Sequence, residues 1–175
     1  MSRSASSTAA LPIAHAVLRI LIVVNWLGGA AIVVLLAAMP TSQWIRSALH
    51  VPPWEEARGL IVGLHVIAVL GLAAVPLNYV ALKRLLAIVE TVRSGDPFVG
   101  ANAHRLQVIA WVLLGLQILS LAIGTIADAV STPAHPIHVD AGFSISGWLA
   151  VLLTFLLARV FAEGTLMRDD LEGTV

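Results

Sequence analysis

The sequence contains no cysteine. That excludes disulfides, thiolate metal sites and a cysteine nucleophile together, and leaves the redox compartment open. Charge is also scarce: 11% of the 175 residues are Asp, Glu, Lys or Arg, against about 25% in a typical soluble domain. Lys83 is the sole lysine, and the formal net charge is zero, so there is no basic excess of the kind that draws a chain onto nucleic acid. No acidic residue falls within the long apolar stretches. A proton-coupled exporter would need a buried carboxylate there. An intramembrane protease would need a serine–base pair, paired aspartates or a metal motif. Alternation of period two is missing as well, which argues against a transmembrane barrel.

What is abundant is apolar: 59% of the residues are hydrophobic. A chain of this length is one domain, and it has too little interior to hide so much apolar surface from water. Lipid as solvent removes the conflict. A helix needs about 20 apolar residues to cross the hydrocarbon core. Four charge-free stretches meet or approach that length: Ile20–Gln43, Gly59–Leu82, Leu106–Ala127 and Ala141–Ala158. Arg19 and Arg159 flank the first and last and can snorkel to the headgroups.

The fold expected is therefore an all-α membrane protein, a bundle of four transmembrane helices near Ile13–Met39, Leu60–Tyr79, Leu106–Ala127 and Phe143–Ala162. The Ser/Ala-rich residues 1–10 are expected to be disordered, and Arg168–Val175 to form a cytoplasmic tail that is not helical throughout. Ala37-Ala38-Met39-Pro40 resembles a cleavage site, but the run before it outlasts a signal core of about 7–15 residues. We read it as an uncleaved span.

Arg and Lys set the direction. Lys83, Arg84, Arg93 and Arg105 lie between spans two and three, Arg3 and Arg19 at the N-terminal side, and Arg159 and Arg168 at the C-terminal side. Only Arg46 and Arg58 lie on the other face. The expected topology is N-in/C-in, with the basic face in the cytoplasm.

Few groups inside the spans carry chemistry. His65 is the one ionisable residue at depth. A bis-histidine haem would need a partner at matching depth, and His15 and His104 lie near the other face, so His65 reads as a packing histidine bonded to a carbonyl, and no cofactor is expected. Asn25, Asn78, Gln117, Ser120 and Thr154 read as contacts between helices. Gly59, Gly63 and Gly71 share one face of span two and would admit a neighbouring helix closely. Pro76 should kink span two. Trp26 and Trp111 sit too deep for an aromatic belt and should pack between helices. In the outer loops, Trp44 and Trp54 flank a stretch that fits a short interfacial helix before Pro52-Pro53. His135, His138 and Asp140 form H-x-x-H-x-D, with Asp128 upstream. Such ligands can bind zinc, but nothing supplies a fourth, so a solvated loop is the expectation.

The inner loop has more order. Leu82, Leu85, Leu86, Val89 and Val92 recur at helical spacing, so span two should continue as an amphipathic helix. Gly95 is its expected stop, Asp96-Pro97 a turn, and Asn102 the cap of the third helix.

Gly95-Asp96-Pro97-Phe98, then Asn102 and Arg105-Leu106, resemble the G-x-P-F…N…R-L signature of a bacterial membrane family catalogued as domain of unknown function 2975. The chain's end, from Phe161, Gly164 and Leu166 through Asp169-Asp170-Leu171-Glu172-Gly173-Thr174-Val175, resembles that family's ending, except that Gly173 separates the acidic residues from the Thr. Members are often encoded beside small helix-turn-helix regulators, and no catalytic residue is known to carry over. The resemblance implies a non-enzymatic protein of the bacterial inner membrane that binds a cytoplasmic transcription factor. Phe98, Asn102, Asp169, Asp170 and Glu172 are the expected partner-binding residues, and a homo-oligomer is open. The alternative is a small transporter or its accessory subunit.

Overall fold

The computed structural model describes residues 5–38, 47, 58–133, 136, 137 and 139–172, with backbone alone for 5–10 and 169–172. Among the described residues four long helices make up the fold: α1 (Ala5–Ala38), α2 (Arg58–Arg93), α3 (Gly100–Val130) and α4 (Ile145–Glu172). Each is long and apolar enough to cross a membrane. In lipid no water satisfies the backbone, so an apolar run of this length must close its hydrogen bonds within itself.

All four helices outrun the stretches that hydropathy marks. α2 passes Pro76 without ending and continues to Arg93, so the amphipathic extension is real. At both ends the helices reach farther than the hydropathy suggests. Residues from Ala5 onward, expected to be disordered, are already helical; alanines at 5, 9 and 10 favour extending the helix backwards. α4 runs into the expected tail as far as Glu172, since no glycine or proline between 165 and 172 stops it; residues 173–175 lie outside the described residues. The interfacial helix expected before Pro52-Pro53, with Trp44 and Trp54, lies outside the described residues.

The helices pack in chain order, α1 on α2, α2 on α3 and α3 on α4, each antiparallel to the last. His15 meets Glu90 at one end of the α1–α2 pair, and Ile32 approaches Gly71 farther along. Trp111 packs edge-on against Phe155 between α3 and α4. The start of α1, the end of α4 and the α2–α3 turn therefore share one end of the molecule with Arg19, Lys83, Arg84, Arg93, Arg105, Arg159 and Arg168. We call it the basic end.

The glycines work differently from the single stripe expected of them. A Cβ on Gly63 would lie 2.6 Å from Val130 Cγ1 of α3, whereas Gly71 faces Ile32 of α1 and Gly59 faces open space. At the same end, Gly124 of α3 comes up against backbone rather than side chain. A Cβ there would lie 2.7 Å from the Gly142 Cα and 2.9 Å from the Ala141 carbonyl oxygen. Ser120 Oγ accepts a bond from the Gly142 N–H at 3.1 Å, pinning the same loop. Gly142 itself has φ +126°, a conformation that glycine reaches without strain.

Among the in-span polar groups, Asn25 Nδ2 donates to the Val75 carbonyl at 3.0 Å across α1 and α2. The Gln117 carboxamide lies against Gly147 of α4, filling the space that a side chain there would take. Thr154 instead bonds its own helix, at the Ala150 carbonyl. His65 Nδ1 donates to the Ile61 carbonyl at 2.7 Å. Trp26 meets Tyr79 edge-on, and Trp111 meets Phe155. Both tryptophans nevertheless keep more than half their surface exposed, so each serves a helix contact and the lipid-facing surface at once.

Candidate functional site at the basic end

The α2–α3 turn is built from its backbone outward. α2 ends in a Schellman motif: the Gly95 N–H reaches the Val92 carbonyl at 3.2 Å and the Asp96 N–H the Thr91 carbonyl at 3.1 Å. Gly95 takes φ +86°, the left-handed conformation this cap demands. Thr91 Oγ1 in turn donates to the Ile88 carbonyl at 2.7 Å.

Asn102 sits beneath this turn, and its role differs from the expected cap. Val99 is the N-cap residue of α3, in extended conformation, with no side-chain cap bond. Asn102 is already inside the helix and wholly buried. Its Nδ2 donates to the Pro97 carbonyl at 2.8 Å and to Thr91 Oγ1 at 2.7 Å. Its Oδ1 accepts from Arg105 Nη1 at 2.7 Å. That same Nη1 donates to the Ala87 carbonyl of α2 at 3.2 Å. An amide is the one side chain that gives two donors and an acceptor at a single point, so Asn102 ties the turn, α2 and α3 together. It offers a partner no surface, and its contribution to any docking is indirect.

Phe98 projects from the turn toward α4. Its ring stacks on Phe161 with centroids 5.4 Å apart and planes inclined by 27°. It passes over Gly164, where a Cβ would lie 3.8 Å from the ring. Half of the residue still faces outward. Beside it the Arg168 guanidinium donates to the Asp96 carboxylate. The Phe98–Phe161 stack and the Asp96–Arg168 ion pair thus fasten the turn to the last turns of α4.

The remaining sequence candidates fall elsewhere. Asp169, Asp170 and Glu172 ride on the helical end of α4, and their side chains lie outside what is described. His135 and His138 are outside the described residues, and Asp140 and Asp128 are exposed at the opposite end. Among the described residues no group of three possible ligands is placed to hold a metal.

Reading along the chain missed Thr91 as a bonding partner and missed the pairing of Phe98 with Phe161 and of Asp96 with Arg168. The signal was available in one form. Both segments of the recognisable signature carry an aromatic residue and opposite charges, and the fold brings the segments together.

These features define a multi-pass α-helical membrane protein with an ordered clasp at one end. Residues 46–175 match the model of a family described as "Protein of unknown function (DUF2975)". The chain belongs to that family, and the match spans α2, α3 and α4 while α1 precedes it. No curated protein and no solved structure matches the chain.

Proposed function

We propose that this is a non-enzymatic protein of the bacterial cytoplasmic membrane whose basic end faces the cytoplasm and holds a protein partner there. The partner is a small helix-turn-helix regulator with a basic, DNA-binding surface. The observation that carries this reading is the clasp. Phe98 stacks on Phe161 yet remains half exposed, the form of an aromatic interface anchor. Arg168, paired with Asp96, fixes the direction in which α4 carries Asp169, Asp170 and Glu172 onward. Carboxylates at that position would compete with DNA phosphates for the partner's cations. The eight-to-two division of Arg and Lys supports the orientation.

The transporter reading has less support. Of the residues that would form its polar path, Asn25 is bonded to the Val75 carbonyl of α2 and Gln117 lies against Gly147 of α4, as helix contacts do.

The test is to delete residues 168–175, or to change Phe98→Asp, and to confirm insertion in each case. Loss of a co-purifying DNA-binding protein, with altered expression of adjacent genes, is the expected result. Retention of every co-purifying partner by both variants, with expression unchanged, overturns the proposal. Solute flux in reconstituted vesicles, abolished by leucine at Asn25, Asn78 and Gln117 without loss of folded protein, would decide for a transporter.

A further inference from the structure

A second feature of the basic end stands apart from the clasp. Between α2 and α3 lies a groove of about 340 Å³, lined by Tyr79, Val80, Lys83, Arg84, Ala87 and Arg105. It marks the edge of the hydrocarbon layer on both helices. The charge-free stretch of α2 ends at Leu82, one residue before Lys83, and that of α3 begins at Leu106, one residue after Arg105.

Three cations share this space, and among the described residues no carboxylate answers them. α1 has no acidic residue, and α2 and α3 have one each, Glu90 and Asp128. Glu90 is engaged by Arg93 at 3.1 Å and by His15 at 3.9 Å, and Asp128 belongs to the opposite end. The Lys83 ammonium rests 5.8 Å from the centroid of the Tyr79 ring, a weak partner for a charge at an exposed site. Arg105 is held in position through Nη1 alone, by the Ala87 carbonyl and Asn102. Its guanidinium is thereby pre-oriented, which matters because a fixed fork binds a phosphate with two parallel bonds. Clustered like charges at low dielectric repel one another, and a bound anion relieves that repulsion.

The groove between α3 and α4 provides the contrast. It is of similar size, about 400 Å³, and contains His104 and Arg159, but Arg159 is neutralised by Glu163 at 2.6 Å.

We infer that the α2–α3 groove binds the phosphate of an anionic phospholipid headgroup, with Lys83, Arg84 and Arg105 as its ligands. Val80 and Ala87 give the glycerol an apolar wall, and the acyl chains follow the lipid-facing surface of α2 and α3. Basic pockets between transmembrane helices at a membrane interface are suited to this chemistry. The inference holds whichever end faces the cytoplasm, and so stands independently of the proposed partner.

Native mass spectrometry of the full chain in neutral detergent tests it, with dioleoyl phosphatidylglycerol and dioleoyl phosphatidylcholine offered in equal amounts. The unmutated chain is expected to retain phosphatidylglycerol in preference. Joint substitution of Lys83→Gln and Arg84→Gln is expected to weaken that binding roughly tenfold or more. Arg19→Gln is expected to leave it unchanged, since Arg19 lies on α1 at the basic end but outside the groove. Inorganic phosphate alone is expected neither to bind nor to displace the lipid. Equal retention of the two lipids, an equal loss in Arg19→Gln, or no loss in the double variant overturns the inference; displacement by inorganic phosphate assigns the groove to a free anion and overturns the lipid. Should the double variant fail to insert, the preference of the unmutated chain and the single Arg84→Gln variant decide the matter.

Discussion

Asn102 carries more of the basic end than any other residue. It is buried, and its carboxamide meets Pro97, Thr91 and Arg105. Replacing it with alanine would leave the Pro97 carbonyl without this donor and remove the tether of Arg105. Each net bond is worth about 0.5–1.5 kcal/mol, more where a charge takes part, so Asn102→Ala should destabilise the protein by about 2–3 kcal/mol. Asn102→Asp should restore the Arg105 contact and still fail, because a carboxylate cannot donate to Pro97 or Thr91. Thermal unfolding in detergent measures both, and an aspartate variant as stable as the original would refute the bonding scheme. Asp96 and Arg168 form a simpler case. Their ion pair is part-exposed and worth little to overall stability. Arg168→Glu should therefore leave the melting temperature nearly unchanged while making the 94–99 turn easier to cleave by protease. The exchanged pair Asp96→Arg with Arg168→Glu should restore protection.

At the level of the helix, glycine positions separate into those that matter and those that do not. An alanine at 124 would push its Cβ into the backbone of Ala141 and Gly142, which cannot swing aside. Gly124→Ala should cost about 1–3 kcal/mol, the range for overpacking a close contact. Gly147→Ala meets only the end of the Gln117 side chain, which can rotate away, so its effect should be much smaller. At Gly28 a Cβ would meet nothing within 4 Å, and alanine there should be neutral or slightly stabilising, since glycine disfavours a helix. The order Gly124, Gly147, Gly28 in detergent melting curves checks the packing of α3 against α4. α2 shows how one helix serves two purposes. Its first half packs by way of Gly63 and Val75, and its last turns, past Lys83, form the wall of the clasp.

For the molecule as a whole, the arrangement is an open series. α3 is the most enclosed of the four helices, and α1 the least. Much of the apolar surface faces outward, including Leu152, Leu156 and Val160 on α4, as expected when lipid is the solvent. The proposed orientation gives a direct prediction. Single cysteines at Ser94 and Ser131, in this cysteine-free chain, should react with an impermeant maleimide from opposite sides of the membrane. Ser94 follows α2 at the basic end and Ser131 follows α3 at the other. Labelling of both from outside intact cells would contradict the four-span fold, and labelling of Ser94 alone would reverse the orientation.

The four long spans, their lengths to within a few turns, the extension of α2 to Arg93 and the stop at Gly95 were legible from residue order. The reason is that each depends on local chemistry: an apolar run must close its own hydrogen bonds in lipid, and only a glycine-like residue enters the left-handed cap without strain. The collection of basic residues at one end was equally legible, because alternating spans of this length return every second loop to the same side. What lay beyond that reading was which faces meet. Helices that are apolar nearly all round carry little periodic signal about their packing side, and in lipid that choice falls to close fit and to single hydrogen bonds. Hence the order of neighbours, the division of Gly63 and Gly71 between α3 and α1, and the burial of Asn102 below the turn came only from the tertiary structure. So did the meeting of Phe98 with Phe161 and of Asp96 with Arg168. Those partners are dozens of residues apart, and their contact is set by the rotation of α4 against α3, which no local pattern encodes.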